Sequence, residues 1–230
     1  MTTDEGFGMI SHIPNILSAD LVVQVRQRLL AGTFEDGRYT ATGRAAEVKN
    51  NMQLGNDPLT RKVVDEIVTR AVMSNPRFAE LAFPKGMVPP TYNRYDVGMT
   101  YGDHVDAPFL NNGRVRADLS MTIFLTDPAT YDGGDLVIRD GLGETRIKHD
   151  AGDAVLYPTT SLHHVTPVTR GSRLSAVTWI QSYVPDAHRR RILIEFNEVK
   201  NYFDAQATDA PAADVLRNAL SNLTRMWWQT

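Results

Sequence analysis

The chain has 230 residues, enough for one substantial domain with a buried core, and its 42% hydrophobic and 22% charged residues exclude a disordered protein. A net charge of −3 with no long basic run excludes a nucleic-acid footprint, and Arg189-Arg190-Arg191 reads as a solvated helix face. The absence of cysteine excludes disulfides, thiolate metal ligands and a Cys nucleophile; with no apolar run of membrane-spanning length and no signal-peptide pattern in Met1 to Ile10, the expectation is a cytoplasmic protein.

Met9 to Leu17 is a short apolar piece ending at Ser18, an N-cap for a helix that carries Leu21, Val22, Val25, Leu29 and Leu30 at helical spacing and stops at Gly32 in a left-handed conformation. Asp36-Gly37-Arg38-Tyr39 is a turn, and the polar stretch through Lys49-Asn50-Asn51 has no clear period. Asp57 caps a second helix, Pro58 sits in its first turn, and Leu59, Val63, Val64, Ile67, Val68, Ala71 and Val72 make its apolar stripe. Both helices are expected to cover one face of a sheet.

From Pro84 to Pro185 the texture changes to short alternating or β-branched runs divided by Gly, Pro, Asn and Asp. Eight strands are expected, at 90–95, 101–106, 118–125, 135–138, 144–148, 154–158, 163–168 and 174–183, with turns at Asn111-Asn112-Gly113, Asp132-Gly133-Gly134 and Arg170-Gly171. Eight short strands fit a double-sheet jelly roll. Helical period returns with Ile192, Phe196, Val199 and Phe203, then with Leu216, Leu220, Leu223 and Trp227, and Asp204 to Ala213 reads as a loop. The fold class is therefore mainly β with flanking α: a double-stranded β-helix core over 84–184, N-terminal helical and strand support over 1–83, and a C-terminal helical extension over 185–230.

The chemistry gathers at Tyr101-Gly102-Asp103-His104-Val105-Asp106. On a strand His104 and Asp106 share a face while Val105 turns away into apolar packing. Two histidines and one carboxylate leave an octahedral iron three open positions, so a second histidine is needed. His163 and His164 are adjacent candidates that face opposite sides. Arg173, ten positions after His163 and across the Arg170-Gly171 turn, favours His163, because a guanidinium near the metal can hold a dicarboxylate in two parallel hydrogen bonds. The hairpin register leaves His164 open. Tyr92, Tyr95 and Tyr101 either offer phenol donors to that pocket or fill core. His12, His149 and His188 have no evident part in it.

His104-x-Asp106, His163 and Arg173 resemble the iron and 2-oxoglutarate-dependent dioxygenases of the prolyl 4-hydroxylase superfamily. Asp36-Gly37-Arg38, Val48-Lys49-Asn50-Asn51, Asn93-Arg94-Tyr95, Arg116-x-Asp118-Leu119-Ser120, Tyr131-Asp132-Gly133-Gly134, Leu156-Tyr157-Pro158, His163-x-Val165-Thr166-Pro167 and Trp179-Ile180-Gln181-Ser182 extend the likeness over most of the chain to the bacterial PKHD-type hydroxylases. Ser221-Asn222 departs from the Tyr-His often seen in those relatives. The resemblance implies Fe(II) on His104, Asp106 and His163, 2-oxoglutarate held through Arg173 with Tyr95 and Tyr101, O2 as oxidant and ascorbate as reductant. It implies hydroxylation of an unactivated C–H bond by O2, with oxidative decarboxylation of 2-oxoglutarate to succinate and CO2. Asp106 argues against a halogenase, which needs a small residue there. The substrate is expected to be a prolyl residue of a protein or peptide, or else a free amino acid or small metabolite such as one linked to iron uptake. No nucleic acid or membrane partner is expected, and the C-terminal helices offer a homodimer contact. A metal-free jelly-roll binding module and a zinc hydrolase are the competing classes; the hydrolase gives Arg173 no purpose.

Overall fold

The computed structural model describes residues 9–140, 143–206 and 211–230. An eight-stranded antiparallel sheet runs β1 (Ser11–Ile13), β14 (Ala154–Pro158), β10 (Leu119–Phe124), β17 (Arg173–Ser182), β6 (Thr91–Tyr95), β4 (Met52–Leu54) and β2 (Phe34–Asp36), with β5 (Pro84–Met87) also paired to β17. A five-stranded sheet runs β13 (Gly143–Ile147), β12 (Leu136–Asp140), β15 (Leu162–Val165), β7 (Thr100–His104) and β3 (Lys49–Asn50). Two short ribbons, β8 (Phe109–Leu110) with β9 (Val115–Arg116) and β11 (Asp132–Gly133) with β16 (Val168–Arg170), complete the strands. The architecture is a double-stranded β-helix flanked by helices.

Strand alternation builds this molecule in layers. In β17, Leu174, Ala176 and Ile180 join Leu119, Met121 and Ile123 of β10 and Ala154 and Leu156 of β14 in a core. That core is closed by α1 (Ala19–Ala31), α3 (Pro58–Met73) and α4 (Pro76–Ala82), through Val25, Leu29, Val64, Val68, Val72 and Phe78. The opposite face supplies Tyr95, Phe124, Val155 and Tyr157, which meet Leu136, Ile138, Ile147 and Val165 of the smaller sheet in a second core. The site lies between the two sheets, where that second core gives way to polar side chains.

Several expectations are corrected. Ser18 and Asp57 do cap α1 and α3, but Gly32 is extended, with φ −83°. A Cβ there would stand 2.7 Å from Leu54 Cδ1 and 3.3 Å from the Leu29 carbonyl oxygen. Leu59 is 80% exposed: five residues before Val64 it lies about 140° round the helix from the buried Val64, Val68 and Val72 row. The helix α4, the four-residue helix α2 (Arg44–Glu47) and strands β1 to β5 were not legible, since most are only two to four residues long and several carry polar side chains toward the cavity. The strand expected over 163–168 is two, β15 and β16, each in a different sheet.

At the C-terminus α5 (Ala187–Ala205) and α6 (Pro211–Trp227) form a hairpin. Of the loop expected over 204–213, residues 207–210 lie outside the described residues; Asp204 and Ala205 end α5, and Pro211 to Ala213 open α6. Ile192, Phe196 and Val199 remain partly exposed, whereas Leu193 is the buried apolar residue of α5. Arg190 is not solvated: it is buried and donates to the carbonyls of Val184 and Pro185, both at 2.7 Å. That bond set ties the end of β17 to α5. No described helix is long and apolar enough to cross a membrane.

Candidate active site

His104 and His163 are direct cross-strand partners on β7 and β15. Asp106 follows β7 just past its end, so its carboxylate is placed by the chain leaving the sheet rather than by strand alternation. His104 Nε2 lies 3.7 Å from Asp106 Oδ1, and His163 Nε2 lies 3.8 Å from Asp106 Oδ2. The three donor atoms lie within 4.8 Å of one another. The two His–Asp separations fall under the roughly 4.2 Å spanned by two ligands on opposite sides of an ion at about 2.1 Å. Val105 does not pack inward; it is 50% exposed and borders the cavity mouth.

The tautomers follow from the backbone. His104 Nδ1 is 2.9 Å from the Gly102 carbonyl and His163 Nδ1 is 3.0 Å from the Ser161 carbonyl. A carbonyl only accepts, so each Nδ1 carries the proton and each neutral ring presents a bare Nε2. Burial, helped by the neighbouring His163, pushes His104 down to about 4, which keeps it an unprotonated ligand at neutral pH. Asp106 Oδ2 accepts from Ser120 Oγ at 2.7 Å and Trp179 Nε1 at 2.9 Å. Those bonds orient the carboxylate. His164 faces away and lies 2.9 Å from an oxygen of Asp103.

Tyr101 and His104 are three apart, an odd spacing that puts strand residues on opposite faces. The register shift between β7 and β15, where His163 meets His104 but Val165 meets Tyr101, is a bulge that returns both to one side. The Tyr101 ring stacks on His104 at 3.7 Å. In β6 the alternation sorts the other tyrosines: Thr91, Asn93 and Tyr95 border the cavity, and Tyr92 points into the helix-covered core. Tyr92 is therefore no part of the site.

Arg173 is 2% exposed and pairs with Tyr95 across β17 and β6. Its guanidinium stands 5.3 Å from the Tyr95 ring and 5.6 Å from Phe124, and one terminal nitrogen donates to Ser175 Oγ at 2.8 Å. Among the described residues no carboxylate pairs with it, and Nε has no partner. A buried cation in that state calls for an anion. Arg173 and the His-Asp-His group border one cavity of about 400 Å³. The donor set suits a divalent cation with open positions, and the guanidinium, with no carboxylate partner among the described residues, suits the far carboxylate of a dicarboxylic acid.

Lys49, Gln53, Thr40, Ser120 and Trp179 were not assigned roles from sequence. Trp179 had a readable signal: it is six residues after Arg173, an even spacing on one strand. A second cluster, His12, His149 and Asp153, lies where β1 meets β14. His12 stacks on His149 at 3.9 Å and bonds Asp153 Oδ2 at 2.8 Å, a clasp for the edge strand.

The two-sheet fold and a His-Asp-His centre beside a buried arginine define a class, and the family model described as the 2OG-Fe(II) oxygenase superfamily matches residues 90–181. A PKHD-type hydroxylase of Methylobacterium nodulans is 43% identical over 224 residues, covering 95% of this chain and 99% of that one. The chain belongs to the PKHD-type hydroxylases of that superfamily. Fe(II), 2-oxoglutarate and O2 are accordingly its cofactor and cosubstrates. Among solved structures, a Pseudomonas putida prolyl-4-hydroxylase is similar in fold, with a TM-score of 0.53 at 20% identity over 75% of this chain and 92% of that one. So is a Trichoplax adhaerens prolyl hydroxylase in complex with a hypoxia inducible factor peptide, with a TM-score of 0.55 at 17% identity over 80% and 86%.

Proposed function

We propose that His104, Asp106 and His163 hold Fe(II), that Arg173 beside Tyr95 holds the distal carboxylate of 2-oxoglutarate, and that the protein hydroxylates an unactivated C–H bond of a prolyl group. The observation that carries the cosubstrate assignment is Arg173, buried with no carboxylate partner among the described residues in the cavity that the two histidines border. When bound, iron with 2-oxoglutarate supplies the oxidising power, and decarboxylation yields succinate and CO2.

The chain's own residues do the rest. Ser120 and Trp179 fix Asp106, and the Gly102 and Ser161 carbonyls fix the imidazoles, so the ligand set needs little rearrangement. Tyr101 packs the open face of His104, and Tyr95, Phe124 and Tyr157 keep water from the arginine. The prolyl assignment draws on the two structural neighbours, which carry prolyl hydroxylase names. A second reading, a small carboxylic acid as substrate, is favoured by Lys49 and is taken up below.

Anaerobic addition of Fe(II) and then 2-oxoglutarate to metal-free protein is expected to give the weak visible band of an iron-chelated keto acid, and oxygen should then yield succinate. Folded protein with no band would remove the oxygenase assignment of these residues.

A further inference from the structure

Among the described residues, Lys49 is the one charged side chain bordering the cavity that has no part in the proposed hold on iron or 2-oxoglutarate. It sits on β3 opposite Tyr101 of β7, with Nζ 5.2 Å from the Tyr101 ring centre, and is only 6% exposed. Its ammonium donates to Thr40 Oγ1 at 2.9 Å, and the Thr40 hydroxyl in turn donates to Gln53 Oε1 at 2.6 Å. Among the described residues no carboxylate comes within ion-pair distance of Nζ. Asp36 is engaged by Arg38, and Asp106 by Ser120 and Trp179. Arg190, a comparable buried cation, is satisfied by two backbone carbonyls. Lys49 has no such pair.

Charge counting sharpens the contrast. An iron dication, the Asp106 carboxylate, the two carboxylates of 2-oxoglutarate and the Arg173 guanidinium sum to zero. Lys49 then adds one uncompensated positive charge on a buried side chain, which is costly unless an anion joins it. A single ammonium beside a hydroxyl matches a monoanion; a phosphate dianion would leave the opposite imbalance. We propose that Lys49, with Thr40 and Gln53 behind it, is a subsite for a free carboxylate of the primary substrate. The substrate class is then a small carboxylic acid or the C-terminal residue of a peptide, not a residue inside a polypeptide. This rests on the reading of the triad and Arg173 as the iron and 2-oxoglutarate site.

The test uses protein loaded with Zn(II) and 2-oxoglutarate, which binds without turnover, and labelled with 15N at lysine Nζ. The probes are N-acetyl-L-amino acids, proline included, each beside its matching amide. The expected result is that at least one acid shifts the Lys49 resonance and raises its titration midpoint, while its amide does neither. In Lys49→Met the same acid should bind roughly tenfold or more weakly, as for loss of a charge-assisted hydrogen bond. The variant should still form the keto-acid band with Fe(II) and 2-oxoglutarate. No acid acting on Lys49, amides acting equally, or loss of the band in Lys49→Met would overturn the proposal. Absence of the band in the unaltered protein would instead sink the oxygenase assignment, a separate outcome.

Discussion

At the scale of single residues, the electrostatics of the cavity set the expectations. His163→Ala should abolish the keto-acid band and succinate release, whereas His164→Ala, which loses only a contact with Asp103 outside the cavity, should keep both. Trp179→Phe removes a donor at 2.9 Å from Asp106 while keeping most of the ring; iron affinity should fall about 10- to 100-fold, the usual effect of losing an outer-shell partner, read by metal titration. Lys49 titrates at about 8 in the folded protein because burial opposes its charge, against 10.5 ordinarily. Between those values the unfolded chain binds more protons than the folded one, so stability should rise with pH across that window. Relative to Lys49→Met, the wild-type gain should reach about 3 kcal/mol at most, by urea unfolding at about pH 7 and about pH 10.

At the scale of elements, close approaches decide more than propensities. Gly134 has φ +66°, and a Cβ there would meet Arg173 Cδ at 3.0 Å. Gly134→Ala should therefore weaken 2-oxoglutarate binding by roughly tenfold, through a displaced guanidinium, and cost about 1–2 kcal/mol of stability from the left-handed backbone; calorimetry and a thermal melt would check both. The Asp132-Gly133-Gly134 segment, expected as a turn, instead opens with strand β11 paired to β16, and the close approach of its glycines to Arg173 and the Pro167 carbonyl was not legible. The gathering of His104, Asp106, His163 and Arg173 at one cavity was legible from residue type and spacing, which metal and anion chemistry restrict. Tyr101 was expected at the pocket and borders it, but its stacking on His104 was not legible, because a bulge reverses the parity that alternation predicts. Strands β3 and β4 were hidden for a related reason: the polar side chains of Lys49 and Gln53 border the cavity, so the alternation of apolar and polar residues that marks a half-buried strand is missing.

At the scale of the whole molecule, the eight-stranded sheet is braced by helices on one side and faces the sheet that carries His104 and His163 on the other, so a ligand bound between the sheets would hold the two layers together. Mn(II) with 2-oxoglutarate, each at about a hundredfold excess over its dissociation constant, should add about 2.7 kcal/mol per ligand. For a chain of this size that corresponds to a rise in Tm of roughly 5 to 10 °C per ligand, reversed by a chelator in a thermal melt. The cross-strand pairing of His104 with His163 carries one more consequence. Interstrand spacing, not the ion, fixes how far apart the two imidazoles stand. On the proposed ligand set, the two imidazoles would keep their separation when the ion leaves, and reloading the site would need no refolding.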